Sequence, residues 1–112
     1  MEQAAAEAVR HYLDALRAGS HLHTKHPSRR AIQRRLAEIE GELTKAPPMR
    51  ELRLLQERHD LLERTRALKL EDAFVDAARS YSRRHGISFD TWREMGVPVS
   101  LLRKAGIRPR RA

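Results

Sequence analysis

Residues 28–69 read SRRAIQRRLAEIEGELTKAPPMRELRLLQERHDLLERTRALK, and their apolar spacing is the clearest structural signal in the chain. Ser28 is a suitable N-cap, so we expect a helix from there to about Ala46. Its apolar side chains recur at spacings of four, three and four residues, the repeat of an amphipathic helix. They are Ile32, Leu36, Ile39 and Leu43.

Pro47-Pro48 interrupts this helix, and Pro48 suits the first turn of the next one, which we expect to reach residue 69. Its apolar residues form two neighbouring stripes. One stripe is Leu52, Leu55, His59 and Leu62, and the other is Leu54, Leu61 and Leu68. Two helices with so short a connection should fold back on each other. The sequence therefore predicts an all-α fold containing an antiparallel, coiled-coil-like helical hairpin over residues 28–69.

The N-terminal residues 1–18 predict a separate helix. It carries an apolar stripe at helical spacing, consisting of Ala5, Val9, Tyr12 and Leu16. Gly19 is a natural stop. Residues 19–27 are polar and lack periodicity, so we expect a linker there.

The C-terminal residues predict three helices separated by glycines. The first should run from about Glu71 to His85, with Leu70, Phe74, Ala77 and Tyr81 on its inner face. Two short helices follow, one over 89–95 capped by Ser88 and one from Pro98 to about Ala105. Residues 70–107 are therefore expected to form a small helix-turn-helix-like bundle, followed by a basic tail over 108–112. We expect no internal repeat.

Positive charge is concentrated in this C-terminal part. Residues 1–77 hold 14 Lys/Arg and 13 Asp/Glu, whereas residues 78–112 hold nine Lys/Arg and two acids, a net charge of +7. Such a division is typical of a chain that uses one part for packing and the other for a polyanion.

Composition excludes several classes of protein. The chain has no cysteine, which excludes disulfides and thiolate sites. No apolar run is long enough to span a membrane, and the N-terminus lacks the features of a signal peptide. We therefore expect a cytoplasmic protein, located at the nucleoid if it binds DNA.

Duplex DNA is the partner that the C-terminal pattern favours. In a helix-turn-helix arrangement the second short helix would expose Val99, Ser100, Arg103 and Lys104 toward base edges and phosphates, with Met95 and Val97 buried at the turn. Trp92 departs from the pattern, because a small residue usually stands there. The complete set of expected nucleic-acid-binding residues is Arg79, Arg83, Arg84, Arg93, Ser100, Arg103, Lys104, Arg108, Arg110 and Arg111.

The chain also resembles a group of small basic actinobacterial proteins. In the C-terminal part the resemblance lies in Gly86-Ile87-Ser88, Thr91-Trp92-Arg93-Glu94, Gly96-Val97-Pro98 and 102–107. In the hairpin it lies in 35–40 and 56–58. It covers roughly residues 28–107, and His59 departs from the aliphatic residue typical of the group. Some relatives are described as nucleoid-associated, so the resemblance implies chromosomal DNA binding.

Other sites carry weaker patterns. His21, His23 and His26 have no carboxylate or thiolate beside them, so we expect no bound metal and no cofactor. Ser80, Ser82, Ser88 and His85 lack a third group to orient the histidine, so we expect no catalytic residues and no enzyme activity.

Two alternatives remain open. The hairpin could be the functional part, binding a protein partner or a second copy of the chain as a homodimer. Alternatively, the basic helices could bind duplex RNA or the ribosome, since a basic helical surface suits structured RNA. No aromatic platform for single strands is expected.

Overall fold

A computed structural model describes residues 2–19 and 28–109. These residues form five α-helices and no strand, which confirms the all-α prediction. The helices are α1 (Glu2–Arg17), α2 (Arg29–Leu43), α3 (Pro48–His85), α4 (Phe89–Glu94) and α5 (Val99–Lys104). The described part is elongated, measuring 60 × 29 × 24 Å.

Helix α3 runs without interruption for 38 residues, so the predicted separate helix from Glu71 to His85 is wrong. Acidic residues such as Glu71 and Asp72 suggested a helix start, since acids favour the first turn. No glycine or proline breaks the chain between Pro48 and Gly86, however. Asp72 instead forms an ion pair with Arg29 at the start of α2.

Helix α2 lies antiparallel along the N-terminal half of α3. Ile32 and Ile39 are buried against Leu54 and Leu61, and Ser28 caps α2 by accepting a hydrogen bond from the amide of Ala31 at 3.2 Å. The predicted α2 stripe and N-cap are therefore confirmed. On α3 only one of the two predicted stripes is buried. Leu52, Leu55, His59 and Leu62 remain exposed.

The C-terminal half of α3 carries the larger core, and α1 belongs to it. Tyr12 of α1 stacks on Phe74 with ring centroids 4.2 Å apart, and Trp92 of α4 meets Phe74 edge-on at 5.5 Å. Burial, and secondarily the negative charge of Glu71, raises the pKa of Tyr12. The aromatic residues thus join helices that are far apart in sequence into one core.

The ends of α3, α4 and α5 repeat one motif every ten residues. A glycine with positive φ follows each helix, and the next residue is apolar and donates its amide back to the last turn. The pairs are Gly86-Ile87, Gly96-Val97 and Gly106-Ile107. The sequence therefore contains an internal repeat that the expectation of none overlooked.

Candidate nucleic-acid interface

The predicted nucleic-acid-binding residues lie on the surface of the C-terminal helices wherever the structure describes them. Eight of the ten are exposed, and Arg110 and Arg111 lie outside the described residues. The eight are Arg79, Arg83, Arg84, Arg93, Ser100, Arg103, Lys104 and Arg108. Their side chains are therefore accessible to a large partner.

Three of these arginines line one open groove of about 390 Å³ between the end of α3, the start of α4 and the segment after α5. We call it the basic groove, and its arginines are Arg79, Arg83 and Arg108. Ser88 contributes a hydroxyl, and Asp90 is the one acid in the lining. The groove therefore carries a net positive charge, as a site for phosphate oxygens requires.

Gly106 brings Arg79 close to the end of α5. Its φ is +81°, and a Cβ built there would lie 3.3 Å from Cδ of Arg79. The arginine stem thus lies over the glycine, where any side chain would crowd it. Lys104 lies two residues before Gly106 and is exposed in the last turn of α5, although it does not line the basic groove.

Helix α5 divides cleanly into a buried and an exposed side. Leu101 and Leu102 are buried, and Ala105 just beyond the helix is also buried. Arg103 and Lys104 are exposed in its last turn. The predicted outer face of this helix, which also includes Val99 and Ser100, is confirmed as exposed.

Two of the predicted residues, Arg93 and Arg84, lie outside the basic groove. Arg93 donates a hydrogen bond from Nη1 to the carbonyl of Val97 at 2.8 Å, which fixes the turn between α4 and α5. Arg84 is exposed in the last turn of α3 but does not line the groove. Met95 was expected to be buried at the turn, but it is 52% exposed.

Trp92 explains how α4 packs without a small residue at its centre. The indole is 3% exposed, and its Nε1 donates to Oγ of Ser82 at 3.2 Å. The Ser82 hydroxyl in turn donates to the carbonyl of Ile87 at 2.5 Å. Ser82 therefore positions the start of the basic groove, and Ser88 caps α4 as predicted.

Helix α1 adds surface residues that the sequence analysis missed. Arg10 and Arg17 line a second groove of about 900 Å³ together with Tyr81, Glu94 and Met95. Glu7 and Asp14 also line it, so its charge is mixed, unlike that of the basic groove. No local pattern could have predicted this proximity, since α1 and α4 are more than 70 residues apart.

Several charges of α2 and the N-terminal half of α3 pair with one another. Arg35 bridges Glu57 and Glu42 at 2.6 and 2.9 Å, and Arg50 contacts Glu42 at 2.7 Å. The hydrogen bond from Arg50 lowers the pKa of Glu42, and that from Arg35 lowers the pKa of Glu57. The same Glu57 bond raises the pKa of Arg35. These charges are thus used within the fold.

Among residues 2–19 and 28–109, no three histidine, aspartate or glutamate side chains are grouped as metal ligands. The predicted polar cluster of His21, His23 and His26 lies outside the described residues. None of the described helices combines the length and apolar composition needed to cross a lipid bilayer.

Comparison with known proteins gives no match to a protein-family model, a curated protein or a solved structure. The function is therefore inferred from this chain's own residues.

Proposed function

We propose that this chain is a non-enzymatic protein of the nucleoid-associated type. It binds duplex DNA through the basic surface of its C-terminal helices, and the α2–α3 pair is the hairpin that serves assembly. The proposal extends to nucleoid location and to kinship with the small basic actinobacterial proteins. Duplex DNA and a second copy of the chain are its partners.

One observation carries the proposal. The arginines of the basic groove and the two cations in the last turn of α5 are exposed, and Asp90 is the only acid in the groove lining. In contrast, Arg35, Arg50 and Arg58 in the N-terminal half are paired with glutamates. A surface rich in exposed arginine is suited to bidentate contacts with phosphates.

In this proposal α4 and α5 are the two helices of a helix-turn-helix-like unit, and α5 faces the major groove. Helix α5 has six residues and is about 9 Å long, so only Ser100, Arg103 and Lys104 can reach toward bases and the neighbouring phosphates. Phosphate contacts then supply most of the affinity. We therefore expect binding that depends weakly on DNA sequence and strongly on salt.

The test is a salt series on a short random DNA duplex and the matching RNA duplex. The parent protein is compared with Arg103→Ala/Lys104→Ala, and Arg30→Ala/Arg34→Ala serves as the control because it removes two exposed charges from α2. For DNA we expect the slope of log affinity against log salt to fall by about 1.8 in the α5 variant, since each phosphate contact contributes ~0.9. The control should keep the parent slope.

Equal and weak binding to both duplexes, unchanged in the α5 variant, would refute the DNA proposal. Tighter binding to RNA than to DNA, weakened by the same two substitutions, would favour the duplex-RNA alternative. A variant Arg79→Gln/Arg83→Gln/Arg108→Gln tests the basic groove separately. We expect it to lower DNA affinity at least tenfold, which is the effect of losing ~1.4 kcal/mol of phosphate contacts.

A second candidate function, binding to a protein partner, rests on a separate observation. Two large apolar side chains on α3, Met49 and Leu52, are more than 60% exposed. Exposed apolar surface of this kind favours a protein-interaction role for the hairpin. The variant Met49→Ala/Leu52→Ala/Leu62→Ala, which changes only exposed side chains, would then abolish binding of the protein partner while Arg103→Ala/Lys104→Ala would preserve it.

A further inference from the structure

One side of the N-terminal half of α3 is apolar and uncovered. Leu52, Leu55, His59 and Leu62 follow one another at spacings of three, four and three residues, the repeat of a coiled-coil seam. The leucines are 62%, 39% and 45% exposed. We call these four residues the exposed α3 face.

The apolar sides of the other described helices already pack against other parts of α3. Ile32 and Ile39 of α2 pack against the neighbouring stripe of α3. Val9 and Tyr12 of α1 pack against the C-terminal half of α3, as do α4 and α5. Within the part of the chain that the structure describes, no helix is left to cover the exposed α3 face.

We propose that a second copy of the chain covers this face, with the two α3 helices antiparallel about a two-fold axis near Glu57. Leu52 then contacts Leu62 of the partner subunit, and Leu55 contacts His59 of the partner subunit. The inference deepens the assembly part of the proposed function by naming the surface and the orientation. It does not depend on DNA binding.

The exposed area fits a modest dimer. The three leucines and neighbouring Met49, which is 64% exposed, present on the order of 400 Å² of apolar surface per copy. Two copies bury about twice that area, roughly 800 Å² of apolar surface, and the stems of flanking Gln56 and Glu63 add to it, which is the size of a small, weak interface. We therefore expect dissociation in the micromolar range.

Charge decides the orientation. Continuing at the same spacing, the exposed α3 face leads to Arg66 and Lys69. In a parallel dimer, Arg66 and Lys69 would each face the same residue of the partner subunit. The two C-terminal segments, each of net charge +7, would also lie side by side. An antiparallel dimer sets Arg66 opposite Pro48 of the partner subunit and moves the basic segments apart. Like-charge repulsion therefore favours the antiparallel arrangement.

This orientation has a consequence for the bound partner. Arg79 is 22 residues from the axis, so the two basic grooves lie about 65 Å apart at opposite ends, at 1.5 Å per residue. Two surfaces so placed cannot share one short site. If the proposed DNA binding holds, the dimer contacts two separate DNA segments, either on two duplexes or about 19 base pairs apart on one duplex, at ~3.4 Å per base pair.

The first test is sedimentation equilibrium without DNA over a range of protein concentrations. We compare the parent with Leu52→Glu, and with Ala4→Glu, which adds the same charge at an exposed position of α1. Leu52→Glu should weaken dimerisation at least tenfold and Ala4→Glu should not. His59→Leu should strengthen it about tenfold, since it adds a buried apolar contact.

Circular dichroism checks that Leu52→Glu retains the parent's helix content, as expected for a side chain that is exposed in the single chain. A parent protein that stays monomeric at several hundred micromolar would overturn the proposal. Equal dimerisation of Leu52→Glu and Ala4→Glu would also overturn it.

The second test determines the relative orientation of the two α3 helices by disulfide cross-linking. The chain has no cysteine of its own, so only the introduced thiols can react. Leu52→Cys and Leu62→Cys proteins are oxidised separately and as a mixture. The antiparallel dimer cross-links only in the mixture, since like positions lie about 15 Å apart and a disulfide needs Cα atoms within ~7 Å. Cross-linking of each variant alone would show a parallel dimer. A dimer that fails to bind DNA would refute the contact with two DNA segments and leave the interface intact.

Discussion

Ser82 connects α3, α4 and the turn between them through a single hydroxyl. It accepts a hydrogen bond from Nε1 of Trp92 and donates one to the carbonyl of Ile87. Both the serine and the indole are nearly inaccessible to solvent, at 8% and 3% exposure. Water therefore cannot easily replace the serine as a hydrogen-bond partner.

We expect Ser82→Ala to destabilise the protein by about 1–3 kcal/mol, because it leaves a buried indole N–H without a partner. Urea unfolding followed by fluorescence measures this well, since Trp92 is the only tryptophan. Ser80→Ala is the matched control at an exposed position, with an expected change within about 0.5 kcal/mol. Equal effects of the two substitutions would contradict the structural role of Ser82.

Comparing substitutions at Gly106 and Gly86 distinguishes the effect of backbone strain from the effect of crowding against a neighbouring side chain. Both have positive φ, but a Cβ at 106 would press on Arg79 whereas one at 86 meets nothing within 4 Å. Each change to alanine should cost roughly 1–2 kcal/mol in thermal unfolding. Only Gly106→Ala should also reduce DNA affinity, because it displaces Arg79. A loss of affinity in both variants to the same extent would contradict this prediction.

At the scale of elements, the continuity of α3 is open to a direct test. Lys69 is exposed in the middle of the helix, near the position where the sequence suggested a boundary. Lys69→Pro should cost about 3 kcal/mol or more, since it removes one helical hydrogen bond and clashes with the preceding turn. Lys69→Ala should be nearly neutral in thermal unfolding. A tolerated proline would instead indicate two separate helices.

The α2–α3 pair should lose stability in acid. The pKa values of Glu42 and Glu57 lie below the ordinary 4.5 in the folded chain because of their bonds to Arg50 and Arg35. Their stabilising effect is therefore complete above pH 4.5 and is lost as the pH falls through the lower folded values. Melting temperature should fall from pH 5 to pH 3, and less steeply in Glu42→Gln/Glu57→Gln. An unchanged slope in that variant would contradict the assignment.

Local patterns predicted much of the fold. The caps at Ser28 and Ser88 and the stops at Gly86, Gly96 and Gly106 are visible in the sequence because each has a distinct backbone requirement. The exposure of the C-terminal cations also followed from helical spacing. These features depend only on residues that are near one another in the chain.

Other features depend on contacts that one sequence does not reveal. The stripes containing Leu54 and Leu52 have similar spacing, so the sequence could not decide which one α2 covers. Likewise, nothing near Tyr12 indicates that it stacks on Phe74, 62 residues later. Glu71 and Asp72 resemble the acidic residues of a helix start. In the structure, however, the charge of Glu71 acts on Tyr12 of α1, and Asp72 forms an ion pair with Arg29 of α2.

At the scale of the whole molecule, dimerisation should change the length of the particle. A single chain measures about 60 Å along its longest axis in its described part. An antiparallel dimer centred near Glu57 should reach roughly 90 Å, from 28 residues of α3 on each side at 1.5 Å per residue. Small-angle X-ray scattering of the parent at high concentration and of Leu52→Glu compares the two. A dimer near 60 Å long would contradict the antiparallel arrangement.

The length of the uninterrupted α3 fixes the distance between the two ends of the protein. One continuous helix runs from the part of α3 that α2 covers to the C-terminal core, so its residue count sets both the distance and the angle between them. Inserting seven residues after Lys69 would lengthen this spacer by about 10 Å and turn the basic groove by only ~20°. Inserting two would turn it by roughly 200°, to the opposite side. If the proposed dimer and DNA binding hold, the separation and relative direction of the two bound DNA segments are set by the length of one helix.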